Sequence, residues 1–257
     1  MILLIDIGNT HTHLGLANEK RVLNQAKITT ADWFGGAAAK IMKGFVGRAV
    51  LDGAALCSVV PRATPLARRA AKRLWSISAL ELTPRTVRGV GIRYPKPGTI
   101  GPDRLANAVA VKHHYGAPSV AVDFGTALTF DVVGASGDYV GGIIAPGLAA
   151  MTEYLHEKTA LLPKIEIREV RSAVGKSTEQ AMLIGAVRGY RGLVRELIGD
   201  LKRELKTRRL PVVATGGYAQ LIAAEMPEIT AVRPLLTLEG LRLVWLAHQP
   251  ADSIVKL

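Results

Sequence analysis

The 257-residue sequence contains little cysteine and few aromatic residues, and both shortages restrict what the chain can be. Cys57 is the only cysteine, which excludes an intrachain disulfide and fits a cytoplasmic location. Aromatic residues make up only 5% of the chain, so we expect a core built mainly from alanine, valine, leucine and isoleucine.

Long apolar runs are also missing. The longest apolar stretch, residues 141–151, contains Pro146 and is too short for the roughly 20 residues that cross a bilayer. No basic region precedes the apolar run at the start of the sequence, and Asp6 interrupts that run, so we expect neither a signal peptide nor a membrane partner. Because 49% of the residues are hydrophobic and 21% are charged, we expect a folded protein rather than a disordered one.

The formal net charge is +12, with basic clusters in residues 62–73, 85–96 and 202–209. A nucleic-acid interface is one explanation of this charge. Solvated helix faces that steer a small anionic substrate are the explanation we favour. Aromatic residues do not interleave with the charges, as a stacking platform for bases would require. We therefore expect no nucleic-acid partner.

One short phrase occurs twice. Asp6-Ile7-Gly8-Asn9-Thr10 and Asp123-Phe124-Gly125-Thr126 each follow an apolar strand. The glycine allows a tight turn and a close approach to a ligand, and the hydroxyl and amide groups after it can donate to phosphate oxygens. An ordinary hairpin also uses Asn and Gly, but it needs no aspartate at the same place twice. We interpret the repeat as two similar halves that face one polyphosphate.

The predicted elements support a duplication. Predicted strands cover residues 2–7, 10–17, 21–29, 54–59, 119–124, 127–133, 139–144 and 210–214. Predicted helices cover residues 31–46, 65–74, 105–115 and 181–205, and another follows Gly217. Each half then runs meander, helix, strand, helix, which predicts an α/β duplication with domains 1–116 and 117–257.

A loop rich in proline, glycine and arginine covers residues 84–102 and ends in Gly101-Pro102-Asp103-Arg104. Long loops within compact proteins are often functional. Asp103 could simply favour the start of the next helix. Alternatively, Asp103 accepts the proton of a substrate hydroxyl and Arg104 holds an anionic group.

Two glycine-rich segments have two interpretations each. Thr215-Gly216-Gly217 either lets a base or ribose lie close to the backbone or is a plain turn from strand to helix. Residues 141–147 either line a site or form a tight connection.

Three other signals are set aside. Gly175-Lys176-Ser177 lacks the upstream glycine of a P-loop, because position 170 is valine. Cys57 lies in an apolar strand and is expected in the core. No cysteine or carboxylate spacing supports a zinc site at the histidines, which are His11, His13, His113 and His114.

Taken together in order and spacing, four motifs resemble a type III pantothenate kinase over essentially the whole chain. They are Asp6–Thr10, Gly101–Arg104, Asp123–Thr126 and Thr215–Gly217. The resemblance implies the acetate and sugar kinase, Hsp70 and actin superfamily, with two ribonuclease-H-like domains and ATP in the interdomain cleft. It also implies phosphorylation of pantothenate to 4′-phosphopantothenate, the first step of coenzyme A biosynthesis, by a homodimer.

The resemblance further implies the roles of individual residues. Asp103 is the general base, Asp123 holds K⁺ or NH₄⁺, and Thr126 contacts ATP. The first phosphate loop consists of Asp6, Ile7, Gly8, Asn9, Thr10, His11, Thr12 and His13. Pantothenate is contacted by Tyr94, Gly101, Pro102, Asp103, Arg104 and Thr178.

Electrostatics add a requirement for cations. Like unit charges about 4 Å apart cost on the order of 4 kcal/mol at an effective dielectric near 20. Asp6 and Asp123 would face the negative phosphates of ATP, so cations must lie between them. We hypothesise that Asp6 holds Mg²⁺ through water and that Asp123 holds the monovalent ion.

One residue departs from the family pattern. Pro102 stands where a small or branched aliphatic residue is usual, and proline removes a backbone donor and restricts φ. Proteins that carry a second family label, transcription accessory factor, share these motifs, so that label does not argue against enzymatic activity.

Three alternatives to a pantothenate kinase remain. They are a kinase of the same superfamily acting on a sugar or acetate, a basic regulatory or nucleic-acid-binding protein, and a nucleotide-binding scaffold without catalysis.

Overall fold

The computed structural model describes residues 1–250, whose contacts separate into two compact units. Unit 1 consists of Met1–His114, Gly137–Val140 and the chain from Leu235 onward, and unit 2 consists of Tyr115–Ser136 and Gly141–Pro234. In the part of the chain that the structure describes, no helix has the length and apolar character needed to cross a membrane.

The predicted division into domains 1–116 and 117–257 stays a prediction, and its last seven residues lie outside those described. The contacts add two later segments to unit 1. The helix that begins at Leu236 belongs there because it packs on the first sheet.

Eleven strands are assigned within residues 1–250. They are β1 (Ile2–Ile7), β2 (His11–Ala17), β3 (Val22–Thr29), β4 (Gly53–Ser58), β5 (Leu80–Glu81), β6 (Gly91–Ile92), β7 (Ser119–Phe124), β8 (Ala127–Val133), β9 (Asp138–Pro146), β10 (Val212–Thr215) and β11 (Ala231–Val232).

Eight α-helices are assigned over the same range. They are α1 (Ala37–Val46), α2 (Thr64–Trp75), α3 (Pro102–Tyr115), α4 (Leu148–Lys158), α5 (Thr178–Leu183), α6 (Tyr190–Glu204), α7 (Ala219–Ala223) and α8 (Leu236–Leu246). Short 3₁₀ helices cover Thr30–Trp33 and Pro97–Thr99, and a π-helical segment, Ile184–Gly189, joins α5 to α6.

The first sheet has the strand order β3-β2-β1-β4-β5. β1, β2 and β3 form an antiparallel meander, whereas β4 and β5 run parallel to β1. Side chains alternate across a strand. Leu3, Ile5 and Ile7 therefore share the core with α1 and α2, while Leu4 and Gly15 meet Leu238 of α8 on the other face. Both faces of β1 are covered, which explains its continuous apolar run.

In the second sheet the strand order β9-β8-β7-β10-β11 repeats that of the first sheet. Strand β6 is added at the edge, beside β9. β7 and β8 are antiparallel, and β10 and β11 run parallel to β7. The β6 pairing involves only Asp138 and Tyr139, which open β9 and belong to unit 1. The repeated order confirms the predicted α/β duplication.

Several predicted helices have different bounds in the structure. Residues 31–46 are not one helix, because Gly36 adopts a φ of 79° between the 3₁₀ turn and α1. The helix predicted over 105–115 begins at Pro102, since proline suits a first helical position. The helix predicted over 181–205 begins at Thr178 and contains the π-helical segment. Helices α4 and α8 were not predicted.

Helix α3 is held in place by α8. A Cβ added at Gly240 of α8 would lie 2.0 Å from the carbonyl oxygen of Ala106, so the two backbones pack directly together. Thr237 Oγ1 donates to Asn107 Oδ1 at 2.9 Å, and His114 Nε2 lies 2.9 Å from Glu239 Oε2. These contacts fix the helix whose first turn contains Asp103.

The close packing of α3 and α8 predicts that Gly240→Ala destabilises the protein. Backbone atoms on the opposing helix cannot move aside cheaply, so we expect a loss of about 1–3 kcal/mol in the free energy of unfolding. Gly192→Ala in α6 is the matched control, because its added Cβ meets nothing within 4 Å. Chemical denaturation measures both variants. Equal stability of the two would contradict the helix packing described here.

Candidate active site

The first Asp-x-Gly phrase forms the turn between β1 and β2. The Gly8 N–H donates to the carbonyl of His11 at 2.9 Å, and a Cβ at Gly8 would lie 3.0 Å from that same oxygen. Asn9 and Thr10 are exposed at the tip of the turn. The turn therefore presents two polar residues to solvent on a closely packed backbone, as the predicted phosphate loop requires.

The other members of the predicted loop lie in different surroundings. Ile7 and Thr12 are buried, and Thr12 Oγ1 accepts from Trp33 Nε1 at 3.1 Å. His11 and His13 follow on β2, and burial together with the charge of Lys27 lowers the pKa of both imidazoles. Both imidazoles therefore favour the neutral form more than an exposed histidine does.

Asp6 lies next to Cys57, its register partner on the parallel strand β4. The Cys57 Sγ donates to Asp6 Oδ1 at 3.1 Å. Burial, followed by the negative charges of Asp6 and Asp103, raises the pKa of this thiol well above its ordinary value. The thiol thus stays protonated as a donor, and both carboxylates act on it, which places Asp6 and Asp103 in one neighbourhood of unit 1.

Asp103 occupies the first turn of α3, where its Oδ1 accepts the backbone N–H of Arg104 at 2.8 Å. A Cβ added at Gly101 would lie 2.5 Å from the same oxygen, so glycine leaves the space that this carboxylate fills. Asp103 is therefore placed at a helix start, and its role as a proton acceptor in a site stays a prediction.

The electrostatics of Asp103 suit a proton acceptor. Burial raises its pKa above the ordinary value near 3.8, and the Arg104 N–H and guanidinium oppose that rise. A carboxylate withdrawn from water is a stronger base than an exposed one. Its affinity for a proton is therefore higher than that of an exposed aspartate.

Arg104 and Tyr94 both lie close to the ring of Tyr139. The Arg104 guanidinium is 5.8 Å from the centre of the Tyr139 ring, and the Tyr94 ring is 6.1 Å from it in an edge-on arrangement. Tyr139 is buried, whereas Tyr94 is 36% exposed. Two predicted substrate contacts are thereby brought together through a residue that the sequence analysis did not select.

The second Asp-x-Gly phrase lies in unit 2 at the end of β7. Asp123 pairs in register with Thr215 of β10, so the two strand ends bring this phrase against Thr215-Gly216-Gly217. Gly216 has a φ of 90°, and a Cβ there would lie 2.4 Å from Asp123 Oδ1. A Cβ at Gly125 would lie 3.3 Å from the same oxygen, so two glycines leave the space, here called the glycine-lined recess, that the Asp123 carboxylate occupies.

The segment 141–147 ends against the turn of the second phrase. A Cβ at Gly147 would lie 2.2 Å from the carbonyl oxygen of Thr126 and 2.6 Å from that of Gly125. Tyr190 donates through its hydroxyl to the carbonyl of Pro146 at 3.0 Å, which fixes the approach. Gly147 thus packs directly on the turn that contains Thr126.

The remaining predicted residue, Thr178, is exposed at the start of α5 in unit 2. Ser177 caps this helix by accepting the N–H of Gln180 at 3.2 Å. The helix continues into the π-helical segment, a feature often found at functional sites.

Three residues near these motifs were missed by the sequence analysis. Cys57 lies in the core as expected, but its bond to Asp6 was not predicted. Tyr139 was named only as the start of a predicted strand, and Thr30 lay between a predicted strand and a predicted helix. Each acquires its role from a partner far away in sequence, such as Asp6 for Cys57. The sequence offered a signal for one of these residues: Cys57 is the only cysteine of the chain and lies in an apolar strand.

The chemistry of the carboxylates fits the cations that the sequence predicts. Mg²⁺ and other hard cations prefer oxygen ligands. Asp6 and Asp123 each stand at the end of a central strand, and Asp123 lies in a recess that one Cβ would fill. In residues 1–250 no group of three or more His, Cys, Asp or Glu side chains could hold a metal by itself.

The basic cluster of residues 62–73 lies beside a cavity that contains none of the predicted site residues. A cavity of about 470 Å³ is lined by residues of the first 3₁₀ helix, α1 and α2, including Trp33, Leu66, Arg69 and Arg73. None of the predicted site residues lines it. The basic cluster of residues 62–73 thus borders a groove apart from the motifs described above.

Comparison with known proteins identifies related sequences and folds. A family model described as type III pantothenate kinase matches residues 2–200. A protein of Methylacidiphilum infernorum (isolate V4) named type III pantothenate kinase is 44% identical over 245 residues, which are 95% of this chain and 87% of that protein.

Two solved structures show the same fold. A Campylobacter jejuni protein described as a Baf family transcriptional activator has a TM-score of 0.62 at 18% identity, covering 95% of this chain and 98% of its own. A Sinorhizobium meliloti protein described as a 2-dehydro-3-deoxygalactonokinase has a TM-score of 0.59 at 14% identity, with 97% of each chain covered. At these identities the likeness concerns the fold alone, and it supports the predicted duplication of ribonuclease-H-like domains.

Proposed function

Because the chain belongs to the type III pantothenate kinase family, we propose that it transfers the γ-phosphoryl group of ATP to pantothenate. The product is 4′-phosphopantothenate, and the reaction is the first step of coenzyme A biosynthesis. The observation that carries this proposal is the partly buried Asp103 carboxylate, held beside Arg104 in the first turn of α3.

Asp103 is the general base of the proposed reaction. It accepts the proton of the primary hydroxyl of pantothenate as that oxygen attacks the γ-phosphorus. The new oxygen–phosphorus bond forms while the bond from the γ-phosphorus to ADP breaks. A raised pKa favours this role, because the efficiency of a general base increases as its pKa approaches the working pH.

Pantothenate would be positioned by residues next to the base. Arg104 is suited to an anionic group because its guanidinium is permanently charged and already held near the Tyr139 ring. Tyr94 lies exposed beside it. Gly101, Pro102 and Thr178 complete the proposed set of pantothenate contacts.

ATP would be bound through its phosphates by the two Asp-x-Gly turns. Asn9 and Thr10 are exposed at the tip of the first turn, and Thr126 lies in the second. Phosphoryl transfer depends chiefly on positioning and on neutralisation of charge. Closely packed turns with polar tips provide the positioning.

Cations complete the charge balance. Bound Mg²⁺ and K⁺ or NH₄⁺ would screen the phosphates from the protein carboxylates and polarise the transferred group. Asp6 would hold Mg²⁺ through water, and Asp123, in its glycine-lined recess, would hold the monovalent ion.

A coupled assay of ADP formation tests the proposed function. We expect ATP consumption with pantothenate and none above background with glucose or acetate. Turnover of glucose or acetate instead would assign the chain to another kinase activity. Retention on DNA at physiological salt, without any kinase activity, would favour a regulatory protein.

Replacement of Asp103 by asparagine should lower turnover by roughly 10²–10⁴-fold, the range expected for loss of a general base. The fold should persist, because burial disfavours the charge that the substitution removes. Steady-state kinetics and circular dichroism measure the two effects. A folded variant with unchanged turnover would rule out Asp103 as the base.

Asp123→Ala should abolish activation by potassium, since the recess would lose its only carboxylate from β7. The measurement is turnover in KCl compared with a buffer free of K⁺ and NH₄⁺. Glu153→Gln, an exposed carboxylate of α4, is the control and should keep the response. A variant at Asp123 that is still activated by potassium would place the ion elsewhere.

A homodimer, a cytoplasmic location and the lack of a nucleic-acid partner are also part of the proposal. Light scattering coupled to size-exclusion chromatography tests the first, with twice the monomer mass expected. A monomer at working concentrations that retains full activity would contradict it.

A further inference from the structure

A continuous chain of buried hydrogen bonds ends on the first Asp-x-Gly turn. Trp33 Nε1 lies 3.1 Å from Thr12 Oγ1, which lies 3.2 Å from Thr30 Oγ1, which lies 2.7 Å from the carbonyl oxygen of Gly8. Trp33, Thr12 and Thr30 are each at most 4% exposed. Water is therefore excluded from the two bonds among Trp33, Thr12 and Thr30, and the bond to Gly8 is part-buried.

The direction of every bond in this chain is determined by chemistry. A carbonyl only accepts, so Thr30 must donate its hydroxyl hydrogen to Gly8. Thr12 must then donate to Thr30, because the Thr30 hydrogen is already used. An indole N–H only donates, so Trp33 donates to Thr12. Each hydroxyl hydrogen therefore has one possible acceptor within this series of hydrogen bonds.

Thr30 holds the turn from two sides. Its backbone N–H donates to the carbonyl of Thr10 at 3.0 Å, while its hydroxyl holds Gly8. The backbone bond continues the pairing of β2 with β3 and would form with any residue that is not proline. The hydroxyl bond is specific to this side chain. Between the two anchored residues, Asn9 remains exposed.

The 3₁₀ turn Thr30–Trp33 places the side chains of both its end residues against Thr12 of β2. The Thr29 N–H donates to Asp32 Oδ2 at 2.9 Å, which fastens the start of this turn. Trp33 follows three residues after Thr30, so one turn of helix brings both side chains to Thr12. The chain of bonds is thus built from a local motif and one neighbouring strand.

We propose that Trp33, Thr12 and Thr30 are positioning residues for nucleotide binding, with the Thr30 hydroxyl clamping the phosphate-binding turn at Gly8. This inference rests on the proposed function, in which the turn binds the phosphates of ATP. The clamp fixes the backbone on both sides of Asn9, so the turn is preorganised before ATP arrives.

The test compares Thr30→Val, which removes the hydroxyl but keeps the shape, with Thr30→Ser, which keeps the hydroxyl. The readout is the Kd for ATP with Mg²⁺, measured by calorimetry without pantothenate, together with the KM for each substrate. Loss of one buried hydrogen bond at the turn should weaken ATP binding on the order of 10-fold. The KM for pantothenate should stay unchanged, and Thr30→Ser should bind ATP nearly as the wild type does.

Thr152→Val is the matched control for lost stability. Thr152 is 6% exposed, and its hydroxyl donates to the carbonyl of Ala149 at 2.9 Å within α4. It should lower the melting temperature without changing the Kd for ATP. Trp33→Phe keeps the aromatic packing, removes only the first donor and should weaken ATP binding less than Thr30→Val. It also provides a test if Thr30→Val does not fold.

The inference would be overturned by ATP affinity that is unchanged in folded Thr30→Val, or by a Thr30→Ser variant as impaired as Thr30→Val. If Thr30→Val does not fold, unchanged affinity in Trp33→Phe overturns it. Its failure is distinct from failure of the proposed function. A wild type that binds ATP but does not phosphorylate pantothenate would refute the substrate, while the effect of Thr30→Val on ATP affinity would still support the clamp.

Discussion

The central constraint of this structure is that the Asp103 carboxylate, which we propose as the general base, is held partly out of water. Burial raises its pKa, and the Arg104 N–H and guanidinium limit the rise. A negative charge is also favoured at a helix N-terminus. The position of α3 depends in turn on its close backbone contact with α8 at Gly240. The chemistry of one side chain therefore depends on the packing of two helices.

The duplication supplies two similar turns, and each is fastened in its own way. In both, the glycine N–H donates to a carbonyl across the turn, that of His11 in the first and that of Ala127 in the second. The first turn is further held by the Thr30 hydroxyl, and the second by the close approach of Gly147. The two turns thus have similar backbones but are held by different contacts. The proposed cations also differ, with Mg²⁺ beside the first turn and K⁺ or NH₄⁺ beside the second.

The sequence predicted the strands better than it predicted the contacts around the motifs. The bounds of β1, β7 and β8 agree with prediction, because continuous apolar runs end at an Asp-x-Gly turn or a polar segment. Helix α1 was predicted too long, since the effect of Gly36 depends on its left-handed backbone. Cys57 could not be recognised as a partner of Asp6, because parallel pairing joins residues that are distant in sequence.

The pH dependence of kcat/KM for pantothenate tests the assignment of Asp103 most directly. A base must be deprotonated to act, so activity should fall as the pH drops through its pKa in the folded protein. Because burial raises that pKa, the acid limb should lie above 3.8, the ordinary value for aspartate. The limb should disappear from the residual activity of Asp103→Asn. An acid limb that is unchanged in this variant would show that another group is the base.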